Sequence, residues 1–566
     1  MKITKGTVSI NQGSHIVNGM GTTWLSDGVK VGSLLRVEAV FSALQISRVV
    51  SDTELHVAQH FPLPTGVAIA GASYVITDEF TANLDLPFPA RGDEDVAAIT
   101  KRALERLDSV APTFGVAHPA PLIDLEQRNQ IKAAGISEDP TLILDFLRDN
   151  YSVTGKVASG SLSAFMSMAG GSFARASVAS AFDKQGALVD VASGQPRPAN
   201  YNPTTLRRLG FLLESARTNL VLNNSNMAAA AAGTPGTVPS GWSVTATANG
   251  VTREIVGTGV SDGIPFLRVR YYGTATVTHT IAVAPHFSTV TAASPGQMFT
   301  GSFFARLHAG ALPSGTKVCR LRWGLSAGAY ISTSDLSVTS MTGDNLRSQR
   351  WIVTGTAPAT TERVQVSLVL AVATGASVDF TVDIGLFQLE QTAFATSPIK
   401  TSGSAVTYPS EAFSVLNNAN WINPLEGTFF VEMQREGSLA SSTVDFGGAW
   451  LRVAGVAGSR LGFRIYESAG SRVTDPIVYD ENVVTWDGTN FVIGDQPTWA
   501  ALAYKANDFA VSRDGGSVTT QSIAVPDPLG QLYIYGSGLH IRRVIYFPKR
   551  LTNAELSILS GLKLSS

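Results

Sequence analysis

The sequence predicts a mainly β, multi-domain chain: a small β-barrel or sandwich, a short helical linker and two β-sandwiches. Three observations predict it. The chain has 566 residues, more than a single hydrophobic core serves, so several domains are expected. Charged residues are only 15% and glycine numbers 53, which favours short strands and tight turns over helical bundles. Apolar and polar residues also alternate over many strand-length runs bounded by Gly, Asn, Asp and Pro.

Residues 1–78 form the first unit. Strand-length pieces at 6–10, 14–19, 34–37, 45–50, 55–57 and 73–76 are separated by turn residues such as Asn11, Gly13 and Asp52. Residues 79–151 change period. A Pro-rich extended stretch leads to Asp93, Glu94 and Asp95, which suit a helix N-terminus, and Val96, Ile99, Ala103 and Leu107 recur at helical spacing. This predicts a helix over 93–108, too short to stand alone. It packs on its own domain or forms a short coiled coil that sets a trimer. Two more helices are expected at 124–136 and 139–151, the second started by Asp139 as N-cap and Pro140 behind it.

Residues 152–223 read as a β connector. Phe182 and Leu188 flank a hairpin turn at Asp183 to Gly186, and Glu214 and Arg217 are placed to pair or to bond backbone, a structural role. Residues 224–400 alternate through Trp242, Leu267 to Tyr272, Phe299 to Ala305, Val364 to Leu370 and Val378 to Ile384, as a sandwich requires. Residues 401–566 begin with an alternating strand around Phe429 and end in two signals. Asp514-Gly515-Gly516 after an alternating run is a hairpin turn, because primed turns need residues that tolerate positive φ. Thr552 followed by Glu555 is a capping box that opens one short closing helix.

Several strings resemble tailed-bacteriophage tail-fibre proteins. GTVSINQGSHIVNGMGTTW, from Gly6 on, is similar to an N-terminal module that lies towards the particle in such proteins. Phe173, Arg175, Ala176, Ser177, Asp183 and Gly186, then Pro196, Arg197, Tyr201 and Pro203, then Gly210, Leu212, Leu213, Glu214, Arg217, Thr218, Asn219 and Leu220 follow a second pattern; Phe211 stands where Leu is usual. Gln388, Leu389, Glu390, Phe394, Ala395, Thr396, Ser397 and Gly403 to Thr407 resemble a phage module junction, with departures at Pro398, Lys400 and Tyr408. The sandwich over 224–400 resembles jelly-roll carbohydrate-binding modules. Residues 401–566 resemble the concanavalin-like lectin or laminin-G family in their final strand, DG turn and closing helix. The resemblance implies a virion tail protein assembled in the bacterial cytoplasm. It implies a homotrimer attached to other tail or baseplate proteins, binding host-surface polysaccharide during adsorption. The alternatives are a tailspike-type glycan depolymerase and a particle decoration protein without a receptor role.

Elementary chemistry narrows this further. Net charge is −2 with no basic run, so no nucleic-acid footprint is expected. No run of apolar residues reaches membrane-spanning length, and the N-terminus has no apolar signal-peptide core, so no membrane insertion or secretion is expected. A single cysteine, Cys319, excludes an intrachain disulfide. His56 and His60 are the one histidine pair four apart, and they lie at a strand end, so no metal site and no cofactor are expected. The phosphate-cradling GxxxxGK(S/T) motif is absent. Asp475, Asp480, Glu481, Asp487 and Asp495 cluster in the last module as turn and rim acids, with weak Ca²⁺ contact as their alternative use. No catalytic residue is assigned and the chain is expected not to be an enzyme. Sugar binding needs exposed aromatic faces. Trp450 after Gly447-Gly448-Ala449 and Trp486 before Asp487-Gly488 lie near turns, so Trp450, Trp486 and Asp487 are the expected glycan contacts.

Overall fold

The computed structural model describes residues 2–564 apart from 12–13, 38–43, 59–67, 78–119, 159, 286–290, 327, 436–444, 454–457, 469–470, 482, 489–490, 493–495, 527–528 and 537. The chain is mainly β and divides into two compact units, Met1–Gln130 and Ile131–Ser566. The helix expected over 93–108 lies outside the described residues.

In the first unit, eight strands form one hydrogen-bonded series from Lys2–Ile3 to Ile69–Ala72. Thr7–Ile10, Leu34–Val37 and Glu54–Val57 each bury alternate residues, so Val8, Ile10, Leu35, Val37, Leu55 and Val57 share one core with Trp24. Trp24 is fully buried. Its Nε1 donates to the Tyr74 hydroxyl at 2.8 Å, and that hydroxyl donates to the Lys5 carbonyl at 2.5 Å, so the indole N–H is not left unpaired.

The helix Ala120–Ala133 appears where one was expected, but the second does not. Leu142–Asp145 and Asn150–Val153 are antiparallel strands, with Leu144 opposite Tyr151. A four-residue apolar run has no period that separates strand from helix. Here Leu142 and Leu144 enter the sandwich core while Ile143 lies under the closing helix, so both faces of the strand are buried. Asp145 Oδ1 accepts from Leu147 N at 2.8 Å and Arg148 N at 3.2 Å, which turns the chain.

These strands belong to a sheet completed by the C-terminal part of the chain. Its order is Lys156–Ala158, Asn150–Val153, Leu142–Asp145, Leu539–Phe547, Glu426–Arg435, Thr498–Lys505, Phe509–Arg513 and Thr519–Gln521, and Arg208–Leu213 also pairs with Leu539–Phe547. The facing sheet runs Gly171–Ala174, Ala412–Leu416, Gln531–Gly536, Asp445–Arg452, Arg460–Ser468, Ser471–Asp480 and Val483–Asp487. Phe146, Phe211, Phe413, Phe429 and Phe463 fill the core of this sandwich. Gly210 has φ +113°, and a Cβ there would meet the Ile541 carbonyl oxygen at 2.5 Å; glycine lets the two strands approach.

Between Glu214 and Glu411 the chain leaves this sandwich, builds another, and returns. Arg217–Asn219 pairs with Val406–Tyr408, and Glu411 N donates to the Glu214 carbonyl at 2.9 Å. The interposed sandwich packs a sheet of Val251–Ser261, Ile264–Thr274, Ser377–Glu390, Met298–Ala311 and Arg350–Thr356 against one centred on Arg363–Val372. Phe299, Phe303, Leu321, Val366 and Phe380 are buried in its core. The hairpin expected at Asp183 is present: Phe182 faces Leu188, and both pack on the interposed sandwich beside Ile264 and Phe304.

The strings of the second pattern and of the junction meet in one buried polar knot. Arg197 donates from Nη2 to Glu214 Oε2 at 2.9 Å and to Glu411, and from Nη1 to the Ser180 carbonyl at 2.8 Å. Arg217 reaches the same Glu214 oxygen at 2.5 Å, and Arg175 reaches Glu411 Oε1 at 2.8 Å. Ser397 donates to Glu214 from backbone (2.7 Å) and hydroxyl (2.6 Å). Burial alone would raise the Glu214 pKa; Arg217, Arg197 and Ser397 outweigh it and hold it at about 2.

Candidate functional site

The outward face of the second sheet follows from strand alternation. On Gln531–Gly536, Leu532 and Ile534 enter the core, leaving Gln531, Tyr533 and Tyr535 outside. On Asp445–Arg452, Ala449 and Leu451 go inward, leaving Gly448, Trp450 and Arg452. On Arg460–Ser468, Leu461 and Phe463 go inward, leaving Arg460, Gly462 and Arg464. The register sets Trp450 opposite Tyr533 and Gly462, Arg452 opposite Arg460, Arg460 opposite Tyr479, and Arg464 opposite Asp475.

Aromatic and cationic groups alternate across this face. The Arg452 guanidinium lies 3.5 Å from the Tyr533 ring centroid, and Tyr533 and Tyr535 are 5.7 Å apart. Arg460 lies 3.9 Å from the Tyr479 centroid and 5.2 Å from Trp450. Burial lowers the Arg452 pKa and the like charge of Arg460 adds to this, while Tyr533 opposes it. At the far end Arg464 holds Asp475 through Nη2 to Oδ2 at 2.6 Å and Nε to Oδ1 at 3.2 Å, with Asp487 at 3.4 Å. Burial raises the Asp475 pKa to about 7; Arg464 opposes the rise and the neighbouring Asp487 adds to it.

The expected contact residues divide. Trp450 is only 1% exposed: its indole lies flat over Gly448, where a Cβ would come within 2.7 Å of the ring, and Arg460 covers it. Trp486, 8% exposed, pairs with Val478, points into the core and meets Phe509 edge-on at 6.2 Å. Neither indole presents a face for a sugar, which corrects the expectation of two exposed tryptophans. A turn-proximal position does not expose a ring when a glycine beside it leaves room to lie down. Asp487 is exposed, with its carboxylate 52% accessible, and belongs to the Arg464 cluster. Asp480 accepts from Ser459 at 3.2 Å, Glu481 occupies the turn after Asp480 at φ +47°, and Asp495 lies outside the described residues. His56 sits 3.1 Å from Glu54, and His60 also lies outside them. Among the described residues no group of three or more His, Cys, Asp or Glu could hold a metal ion. No helix among them is long and apolar enough to cross a membrane.

Tyr533, Arg452, Arg460 and Tyr479 were not singled out from the sequence. Their signal is the alternation in QLYIYG, AWLR, RLGFR and PIVYD, which places them on one face only once strand order is known. Chemically, the Arg452 and Arg460 guanidiniums, each lying on a tyrosine ring, can donate to sugar hydroxyls, and the tyrosine hydroxyls can donate and accept beside them.

No family model matches the chain, and no curated protein matches it. Solved structures do. The CBM2 module of the Lactobacillus casei BL23 phage J-1 evolved Dit is 12% identical over 25% of this chain and 71% of its own, with a TM-score of 0.20. The tripod (BppUct-A-L) from the baseplate of bacteriophage Tuc2009 is 12% identical over 59% of this chain and 98% of its own, at 0.20. A Trypanosoma rangeli sialidase in complex with 2,3-difluorosialic acid is 10% identical over 56% and 69%, at 0.21. These likenesses are of β-rich fold alone. With a sialidase among the matches, the expectation that the chain is not an enzyme is withdrawn.

Proposed function

We propose that this chain is a tail-fibre component of a tailed-phage virion whose C-terminal sandwich engages host-surface glycan during adsorption. The observation that carries the contact is the row Tyr535, Tyr533, Arg452, Arg460 and Tyr479 across one sheet face. The phage setting is supported by the resembling strings, whose Arg175, Arg197, Glu214, Arg217 and Ser397 form a single knot joining two sandwiches. Attachment to other tail or baseplate proteins as a homotrimer gives several weak glycan sites on one particle, which act together through effective concentration.

The test is retention of the purified chain on immobilised bacterial surface polysaccharide. Arg452→Ala and Tyr533→Ala, each checked for an unchanged unfolding midpoint, are expected to weaken retention by about tenfold or more. Retention unaltered in both variants removes this face from the reading.

A further inference from the structure

A second candidate site lies on the opposite sheet of the same sandwich. The strand Glu426–Arg435 pairs with Leu539–Phe547 through Glu432 opposite Arg543 and then Met433 opposite Ile541, which leaves Arg542 as the extra residue of a bulge. Neighbouring residues of a regular strand point to opposite faces; a bulge re-aims one of them. Here both arginines reach the same side chain. Arg542 Nε donates to Glu432 Oε1 at 2.6 Å, and Arg543 Nη1 donates to Glu432 Oε2 at 2.8 Å.

Above this pair is a cleft of about 420 Å³, within the range of roughly 300–1,000 Å³ usual for ligand pockets. Arg207, Arg208 and Lys563 add three more cations to its lining, and the Trp499 indole forms part of one wall. Five cations therefore face three carboxylates: Glu432 between the two arginines, Asp145 on Arg543 at 2.9 Å, and Asp149 on Arg208 at 2.6 Å. Among the described residues neither Arg207 nor Lys563 has an acidic partner; Arg207 donates to Gln434 Oε1 at 3.4 Å, and Lys563 lies 5.4 Å from the Trp499 centroid. Among the described residues the buried Trp499 Nε1–H and Arg208 Nε–H have no acceptor. The cleft thus offers surplus positive charge, an aromatic ring and an apolar wall of Leu147, Pro497 and Leu564.

We propose that this cleft binds a carboxylate-bearing sugar, of the uronate class, as a second saccharide site distinct from the Tyr533 face. The ring packs on Trp499 and the apolar wall. The carboxylate takes the charge of Lys563 and Arg207, whose planar fork matches it. The net charge of −2 and the single aromatic ring among the described residues of the cleft disfavour a nucleic-acid backbone, which needs an extended basic track and repeated stacking.

The test is calorimetric titration of the full chain with a short oligogalacturonate, the matching neutral oligogalactoside, and inorganic phosphate. The acidic oligomer is expected to bind with quenching of tryptophan fluorescence, and the neutral one about tenfold more weakly or not at all. Lys563→Ala with Arg207→Ala, both exposed and outside any ion pair among the described residues, is expected to lower the acidic affinity by about tenfold or more. Trp499→Phe, which keeps an aromatic ring but a smaller one, is expected to lower it by a smaller factor. Equal affinity for neutral and acidic oligomers, binding that survives the double substitution, or absence of binding to the acidic oligomer overturns the proposal. Phosphate binding as tight as the oligomer overturns the saccharide assignment. The Tyr533 face has its own variants, so failure of one site is read separately from failure of the other.

Discussion

Asp475 has an ordinary carboxyl in sequence and an altered one in the fold. Its pKa stands at about 7 against an ordinary 3.8, because burial disfavours the charge and Asp487 lies beside it, with Arg464 only partly compensating. Between those values the native chain retains a proton that the unfolded chain releases, so its stabilising effect is complete below the unfolded pKa and declines as pH rises through the folded one. Asp475→Asn removes that titration. Its unfolding midpoint is therefore expected to fall less than that of the parent chain between about pH 4 and about pH 7. Differential scanning fluorimetry across that range checks this, and an unchanged slope would show that Arg464 keeps Asp475 ionised throughout. Trp450 and Trp486 carry the complementary lesson. A turn-rich neighbourhood was legible, but which side of the sheet each indole takes depends on register, and whether it is covered depends on Gly448 and Arg460.

At the scale of elements, local chemistry was legible where it is self-contained. The capping box forms as its residues require: Thr552 Oγ1 accepts from Glu555 N at 3.2 Å, and Thr552 N donates to Glu555 Oε2 at 2.9 Å. Glu555 also accepts from Ser137 N at 3.0 Å and its hydroxyl at 2.8 Å. Burial raises its pKa, but the Ser137 and Thr552 bonds outweigh this and lower it to about 2. Thr552→Ala is expected to destabilise the sandwich by about 1 kcal/mol, read from the midpoint of urea unfolding. The Asp514-Gly515 turn likewise adopts positive φ at both residues, +49° and +74°. The strand Leu142–Asp145 was not legible, because its apolar run is short and its partner strand Leu539–Phe547 and the closing helix over it lie about 400 residues further along the chain.

Within Ile131–Ser566, one sandwich interrupts another. Arg217 and Tyr408 are opposite each other on paired strands, so the chain ends that flank the interposed sandwich already meet. Removing 218–407 and closing the gap with a two-residue turn leaves both sheets of the outer sandwich with their strands. We expect the shortened chain to unfold cooperatively, by calorimetry and near-UV dichroism, with lower stability because Glu214 loses its two Ser397 bonds. A non-cooperative transition would show that the interposed sandwich is required for the outer one to close.

The sequence by itself determined the β class, the hairpin turns, the closing helix and the likeness of particular strings to phage tail proteins. Each of these is written in period, turn chemistry or residue order over short spans. Only the tertiary structure decided that 142–213 and 412–547 share two sheets. It also brought Arg175, Arg197, Glu214, Ser397 and Glu411 into one knot and put Arg542 and Arg543 on one side of a bulged strand above a cationic cleft. The reason is physical: strand order and register are set by burial between residues hundreds of positions apart, and a one-residue change of register moves every side chain to the other face.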